Sequence, residues 1–177
     1  RLFDAVVHSM TTISTGGFSN YDDSFAHFPI STEYLCVFFM IASSLPFIRY
    51  VQLTSGNFKA TFFDSQVRSF LIILISITVI LFSWLMFQQT HSIEYALRKT
   101  LFNGVSILTG TGYSSDNYML WGSFPISIFF VIGLIGGCAG STTCSIKVFR
   151  FQILFSAIGS QIKQMHFPSA VVATRYE

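Results

Sequence analysis

Ser14-Thr15-Gly16-Gly17-Phe18-Ser19 and Thr109-Gly110-Thr111-Gly112-Tyr113-Ser114 read as one device used twice, each just upstream of a long apolar stretch. With Gly17 set on Gly112, an aromatic follows each glycine and a serine follows each aromatic. Further on, Phe28-Pro29-Ile30-Ser31 recurs letter for letter as Phe124-Pro125-Ile126-Ser127, displaced by one more residue. The segment before each device, residues 1–14 and 96–108, is moderately apolar with a helical spacing, as in Phe3, Val6, Val7 and Met10. Each is long enough to enter a bilayer and too short to cross one, since crossing takes about 20 residues. The repeated unit is therefore spanning helix, re-entrant half-helix, polar extended loop, spanning helix.

Composition places this unit in a membrane. The chain is 51% hydrophobic and only 10% charged, against roughly 25% charge in an ordinary soluble domain. Residues 69–87 contain no charge and match the length of a hydrocarbon core. Residues 34–48 and 124–137 are shorter apolar runs, and neither has the flanks of a signal peptide. The chain begins at Arg1 without a methionine and reads as a fragment.

The expected class is an all-α membrane protein of pore-loop repeats around a central ion pore. Residues 1–51 hold the re-entrant loop and inner helix of one repeat, and 52–68 a cytoplasmic linker. Residues 69–158 hold a complete second repeat, and 159–177 a cytoplasmic segment. Arg49, Lys59, Arg68, Lys147, Arg150, Lys163 and Arg175 mark the inner side. Both glycine devices then face outward, among Asp4, Asp22, Asp23, Glu33, Glu94 and Asp116, against Arg1, Arg98 and Lys99. Such a mouth concentrates cations; the bland alternative is solvated loop charge with no task.

Irregular backbone at membrane depth persists only where it is buried in protein or faces water, because unpaired amides in lipid cost several kcal/mol each. A glycine and threonine loop there suits a monovalent cation, whose hydration shell successive carbonyls replace. The preceding half-helix points its negative end at the ion. Ser14, Thr15, Gly16, Gly17 and Phe18, with Thr109, Gly110, Thr111, Gly112 and Tyr113, are the candidate filter. A plain glycine-rich turn is the alternative; a phosphate loop would need Gly-Lys-Ser/Thr opening a helix.

The last apolar run is interrupted by Gly136-Gly137-Cys138-Ala139-Gly140-Ser141-Thr142-Thr143-Cys144-Ser145-Ile146-Lys147, with Arg150 in the apolar stretch that resumes. Small residues suit close helix packing, but the stretch reads as a helix broken at mid-membrane beside a cavity. Lys147 either points into the conduit or snorkels to the inner surface. In the other inner helix Pro46 is expected to kink or end the helix. Cys36, Cys138 and Cys144 lack metal or redox spacing and read as packing residues. The four histidines lack nucleophile or metal partners, so no enzyme is expected; His8 reads as a residue that packs or orients the first re-entrant helix.

Gly136-Gly137-Cys138-Ala139-Gly140-Ser141-Thr142, then Lys147-Val148-Phe149-Arg150, with His8-Ser9, Gly17-Phe18-Ser19 and His166-Phe167-Pro168-Ser169-Ala170-Val171-Val172, resemble the Trk/Ktr/HKT superfamily of potassium uptake proteins, most of all its bacterial TrkH/TrkG branch. The resemblance implies four unequal repeats around one pore, of which this chain carries part of the second and all of the third. It implies K⁺ as the transported ion at the filter, with Gly17 and Gly112 as the filter glycines and no bound cofactor. It implies a gate beneath the filter at residues 136–147, with Arg150 beside it. Expected partners are the bilayer, the remaining repeats, a second copy, and a cytoplasmic nucleotide-binding ring of the TrkA/KtrA type; no nucleic-acid partner is expected. The expected site is the cytoplasmic membrane, multi-pass, with the filter loops outside. Where the family has glycines, Thr143-Cys144-Ser145 stand here, which is expected to stiffen the loop. The rivals are an ion-coupled secondary transporter and a non-conducting membrane scaffold.

Overall fold

The computed structural model describes residues 2–56, 64–88 and 92–166. Arg1, Lys59, His91, Arg175 and the stretch from Phe167 onward lie outside them. The described residues form seven α-helices: α1 Leu2–Ile13, α2 Ile30–Ser43, α3 Phe47–Thr54, α4 Ser65–Phe87, α5 Ile93–Leu108, α6 Ser123–Gly133 and α7 Val148–His166. Short 3₁₀ turns at Ser24–His27 and Tyr118–Trp121 follow the two glycine devices. Among the described residues the only β pairing is the bridge between Ile135 and Ile146.

Helix α4 is long and apolar enough to cross a membrane. Asp64 caps it, its carboxylate accepting from the amides of Gln66 (2.7 Å) and Val67 (3.1 Å) and so pairing two of the first-turn donors that a helix leaves open. Val67, Phe70, Leu74, Ile77, Leu81 and Leu85 form its buried stripe at alternating three- and four-residue steps. The opposite face, with Ile72, Ile75 and Val79, is equally apolar and exposed, as expected of a lipid-facing surface. The buried stripe packs on α5, the central helix, which also touches α2 and α6.

Two inner helices are broken. Helices α2 and α3 meet at 91°, and Pro46 stands at the bend as the N-cap of α3, where its missing N–H and fixed φ suit a helix start. Helix α6 begins with Phe124-Pro125 in its first turn and stops at Gly133, ahead of the small-residue stretch. Helicity returns at Val148 and runs without interruption to His166, so the expected boundary between 158 and 159 falls inside a helix. The linker expected over 52–68 is likewise shortened, by the end of α3 and the start of α4.

Candidate filter and gate loop

The two glycine devices share one backbone scheme. After each half-helix the chain turns through a left-handed residue, Thr15 (φ 52°) or Gly110 (φ 71°), and two residues later through another, Gly17 (φ 68°) or Gly112 (φ 86°). The amide of Gly16 donates to the Thr11 carbonyl (2.8 Å) and that of Thr111 to the Ser106 carbonyl (2.9 Å). The hydroxyl of Thr11 donates to the Phe18 carbonyl (3.1 Å), as that of Ser106 does to the Tyr113 carbonyl (2.7 Å). His8 bonds the Asp4 carbonyl through Nδ1 (2.7 Å), and Asn103 donates to the Lys99 carbonyl (2.9 Å). Each arm is thus braced from its own half-helix, which needs only residues within reach along the sequence.

Between these braces the carbonyls of Thr15, Gly16 and Gly17, and of Gly110, Thr111 and Gly112, accept no hydrogen bond from the described residues. Thr15 and Thr111 are buried, Gly17 and Gly110 half-buried and Gly16 and Gly112 exposed, so the two runs form a partly accessible, oxygen-rich surface suited to a cation. The arms lie against each other: a Cβ on Gly17 would stand 1.8 Å from the Thr111 carbonyl oxygen, whereas one on Gly112 meets nothing within 4 Å. Tyr113 is buried at 1% exposure, its hydroxyl against the Thr11 hydroxyl, while Phe18 is 73% exposed. His8 is buried among Phe25, Phe28 and Tyr113 with Nε2 3.1 Å from the Ser19 hydroxyl, in keeping with the packing role expected.

The interrupted stretch folds into a loop stitched to both the filter and the first helix break. Thr15 donates its hydroxyl to the Thr142 carbonyl (3.0 Å), and the Thr142 hydroxyl bonds the carbonyls of Ile13 (3.0 Å) and Ser43 (3.2 Å). The Cys138 amide donates to the Ser44 carbonyl (3.1 Å) and the Phe47 amide to the Gly140 carbonyl (3.0 Å). Gly136 and Gly137 are required by proximity, since a Cβ would stand 2.1 Å from the Cys144 carbonyl oxygen or 2.7 Å from the Thr143 hydroxyl. On the other side Gly110 of the filter sits against Cys144. Ser145 adopts φ 65°, a left-handed conformation that a glycine would take at lower cost.

Several expectations are corrected here. Cys36 and Cys138 are buried, but Cys144 is exposed and is not a packing residue. The Lys147 ammonium folds back onto Ser141 and Thr143 of its own loop. Arg150 is exposed on the first turn of α7. Glu33, Arg98 and Lys99, counted above as mouth charges, are buried together. Glu33 Oε1 accepts from Arg98 (2.8 Å) and Lys99 (2.9 Å), and Lys99 also donates to the Ser115 carbonyl just past the filter (2.8 Å). Opposite charge made this cluster possible in a dry site; the one sequence signal was Glu94 four residues before Arg98, a helical ion-pair spacing. At the loop end of α5, burial and the Asp116 carboxylate that accepts its hydrogen bond push the Tyr95 phenol up to about 12.

Comparison with known proteins gives a consistent result. The profile of the TrkH family, described as "Cation transport protein", matches residues 1–176. The Trk system potassium uptake protein TrkI of Halomonas elongata is 37% identical over 98% of this chain, which covers 35% of that protein. The Trk system potassium uptake protein TrkH of Escherichia coli is 30% identical over 98% of this chain and 36% of its own. The crystal structure of the potassium transporter TrkH from Vibrio parahaemolyticus superposes with a TM-score of 0.90 at 30% identity, over 98% of this chain and 38% of that one. The chain thus spans about a third of the length of the curated relatives it matches. An all-helical fold, a profile match along nearly the whole sequence and a close structural match agree that the chain belongs to the TrkH family of cation transport proteins.

Proposed function

We propose that the chain supplies two sides of the K⁺-selective filter, and the gate beneath it, of a potassium uptake protein. The observation that carries this reading is the pair of free carbonyl runs on adjacent arms, with Gly17 closed against the Thr111 carbonyl. Neutral carbonyls in sequence exchange for the water of a monovalent ion without binding it too tightly to leave. The remaining sides come from the other repeats of the longer protein. The filter arms face outward in the cytoplasmic membrane, and the basic residues of α7 lie inside, where a nucleotide-binding ring docks. A second copy of the protein completes the assembly. No step involves covalent chemistry.

The loop over residues 136–147 closes the pore below the filter, held by Thr142 and by the break at Ser44 and Pro46. Its glycine-poor stretch is not merely stiff: Thr143 is bonded to Gly137, Ser141 and Lys147. The test is K⁺ uptake by the full-length protein in transport-deficient cells at matched membrane abundance. Deleting residues 141–145 is expected to leave flux high and unresponsive to the ring; unchanged uptake and regulation would remove the loop from the gate. Flux that collapses when a Na⁺ or proton gradient is removed would favour an ion-coupled transporter instead, and intact protein without flux would favour a scaffold.

A further inference from the structure

The ammonium of Lys147 rests in a cage of four oxygens: the Thr143 carbonyl (2.6 Å), the Ser141 carbonyl (3.2 Å), the Thr143 hydroxyl (3.2 Å) and the Ser141 hydroxyl (3.3 Å). The surrounding bonds fix which way the hydroxyls point. Ser141 gives its proton to the Cys138 carbonyl (2.6 Å). The Gly137 amide donates to the Thr143 hydroxyl oxygen (3.0 Å). The contact between the two hydroxyls (2.8 Å) is then filled by the Thr143 proton, because each hydroxyl has one hydrogen and two lone pairs. Every proton is thereby turned away from the centre, and all four oxygens present a lone pair to whatever occupies it.

A lysine ammonium has three N–H donors and no acceptor, so it matches this cage only in part. A spherical ion has no such directional limit. The cage contains no carboxylate, which disfavours Ca²⁺ and Mg²⁺, while neutral carbonyl and hydroxyl oxygens are the ligands that replace the hydration shell of K⁺. Thr143 is buried and Lys147 half-buried, so an uncompensated charge here would be costly. We propose that Ser141 and Thr143 form a monovalent-cation site within the loop, separate from the filter, which the chain fills with its own tethered ammonium. Lys147 is a built-in competitor for an ion of the size of K⁺, and removing it opens the site to free ions. The site is read from the loop alone and goes beyond the transport proposal.

The test uses full-length protein purified in detergent, with thermal unfolding followed in K⁺, Rb⁺, methylammonium, Na⁺ and choline at equal ionic strength. The wild-type response sets the contribution of the filter. Lys147→Ala is expected to unfold roughly 2–4 °C lower in choline and to recover that loss in K⁺, Rb⁺ or methylammonium, beyond the wild-type response, with less recovery in Na⁺. Adding Ser141→Ala to Lys147→Ala is expected to abolish the extra recovery. Parallel ion responses in wild type and Lys147→Ala would overturn the site. Should Lys147→Ala not be recovered folded in choline, Lys147→Met replaces it, and failure of both in K⁺ as well as in choline overturns the proposal equally. Wild type that transports K⁺ while the variant gains no response sinks this site alone; a gained response in a protein without flux sinks the transport reading alone.

Discussion

The first filter arm and the second have the same backbone and almost opposite surroundings. Both end a half-helix at an equivalent residue, both turn left-handed at the same two positions, and both are braced by a hydroxyl one turn back. Yet α1 exposes Leu2, Phe3 and Met10, whereas α5 is enclosed by α4, α2 and α6. The device itself is encoded by residues within about ten positions of each other, and so it can be copied. Its environment depends on neighbouring repeats.

The sharpest way to break this comparison is at the two candidate filter glycines. In the full-length protein Gly17→Ala is expected to cut K⁺ uptake by about 100-fold or more, since strain of about 3 kcal/mol at a positive φ costs two orders of magnitude and the Thr111 carbonyl blocks the methyl besides. Gly112→Ala has open space in this chain. Gly112 shares the left-handed strain at φ 86°, so uptake is expected to fall by a similar factor at matched abundance, and further still if another arm closes on it as Thr111 closes on Gly17; retention of most uptake would sink the strain argument for both glycines.

A second contrast lies one turn earlier. Lys99 occupies on α5 the place that Asp4 holds on α1, but Lys99 is buried against Glu33, whereas the Asp4 carboxylate accepts from Asn20 at an exposed contact. Glu33→Gln leaves Lys99 without its counter-charge and Arg98 with only the more exposed Glu94, and denaturant or thermal unfolding of the full-length protein is expected to show a loss of about 3–5 kcal/mol. Asp4→Asn is expected to change stability little, and an equal loss would contradict the asymmetry drawn here.

The smallest effect concerns the braces. Ser106→Ala removes a fully buried hydroxyl bond and is expected to cost about 1 kcal/mol. The matching change at Thr11, to Val, is expected to cost less, because the Phe18 carbonyl it serves is exposed to water. Unfolding midpoints of the two variants measured side by side check the order.

What the sequence showed and what it hid divide along the same line. The duplication, the spanning helix at α4, the bend at Pro46 and the break after α6 all rest on local signals: a glycine at a left-handed turn, an uncharged run, a proline. The burial of Glu33 beside Arg98 and Lys99 joins residues far apart in the chain, and a charge map assigns them to a solvated mouth. The partners of Lys147 were hidden for a similar reason, since Ser141 and Thr143 are near in sequence but become a cage only once the loop is held by Ser43, Ser44 and Gln66. Cys144 has the same side chain as the buried Cys36 and Cys138 but lies in an exposed stretch with Ser145 and Ile146, which residue type alone does not signal.

The two helix breaks supply each other's missing hydrogen bonds. The carbonyls of Ser43 and Ser44, freed where α2 ends, receive the amides of Thr142 and Cys138, and the Phe47 amide at the start of α3 finds the Gly140 carbonyl. Repairing one helix alone would therefore strand polar backbone in the other at membrane depth, where each orphan costs several kcal/mol. Substitutions at Pro46 and at residues 138–142 are then strongly epistatic: a straightening change tolerated in neither background singly is tolerated when both breaks are straightened together. Lineages can alter this pair of breaks only by paired steps.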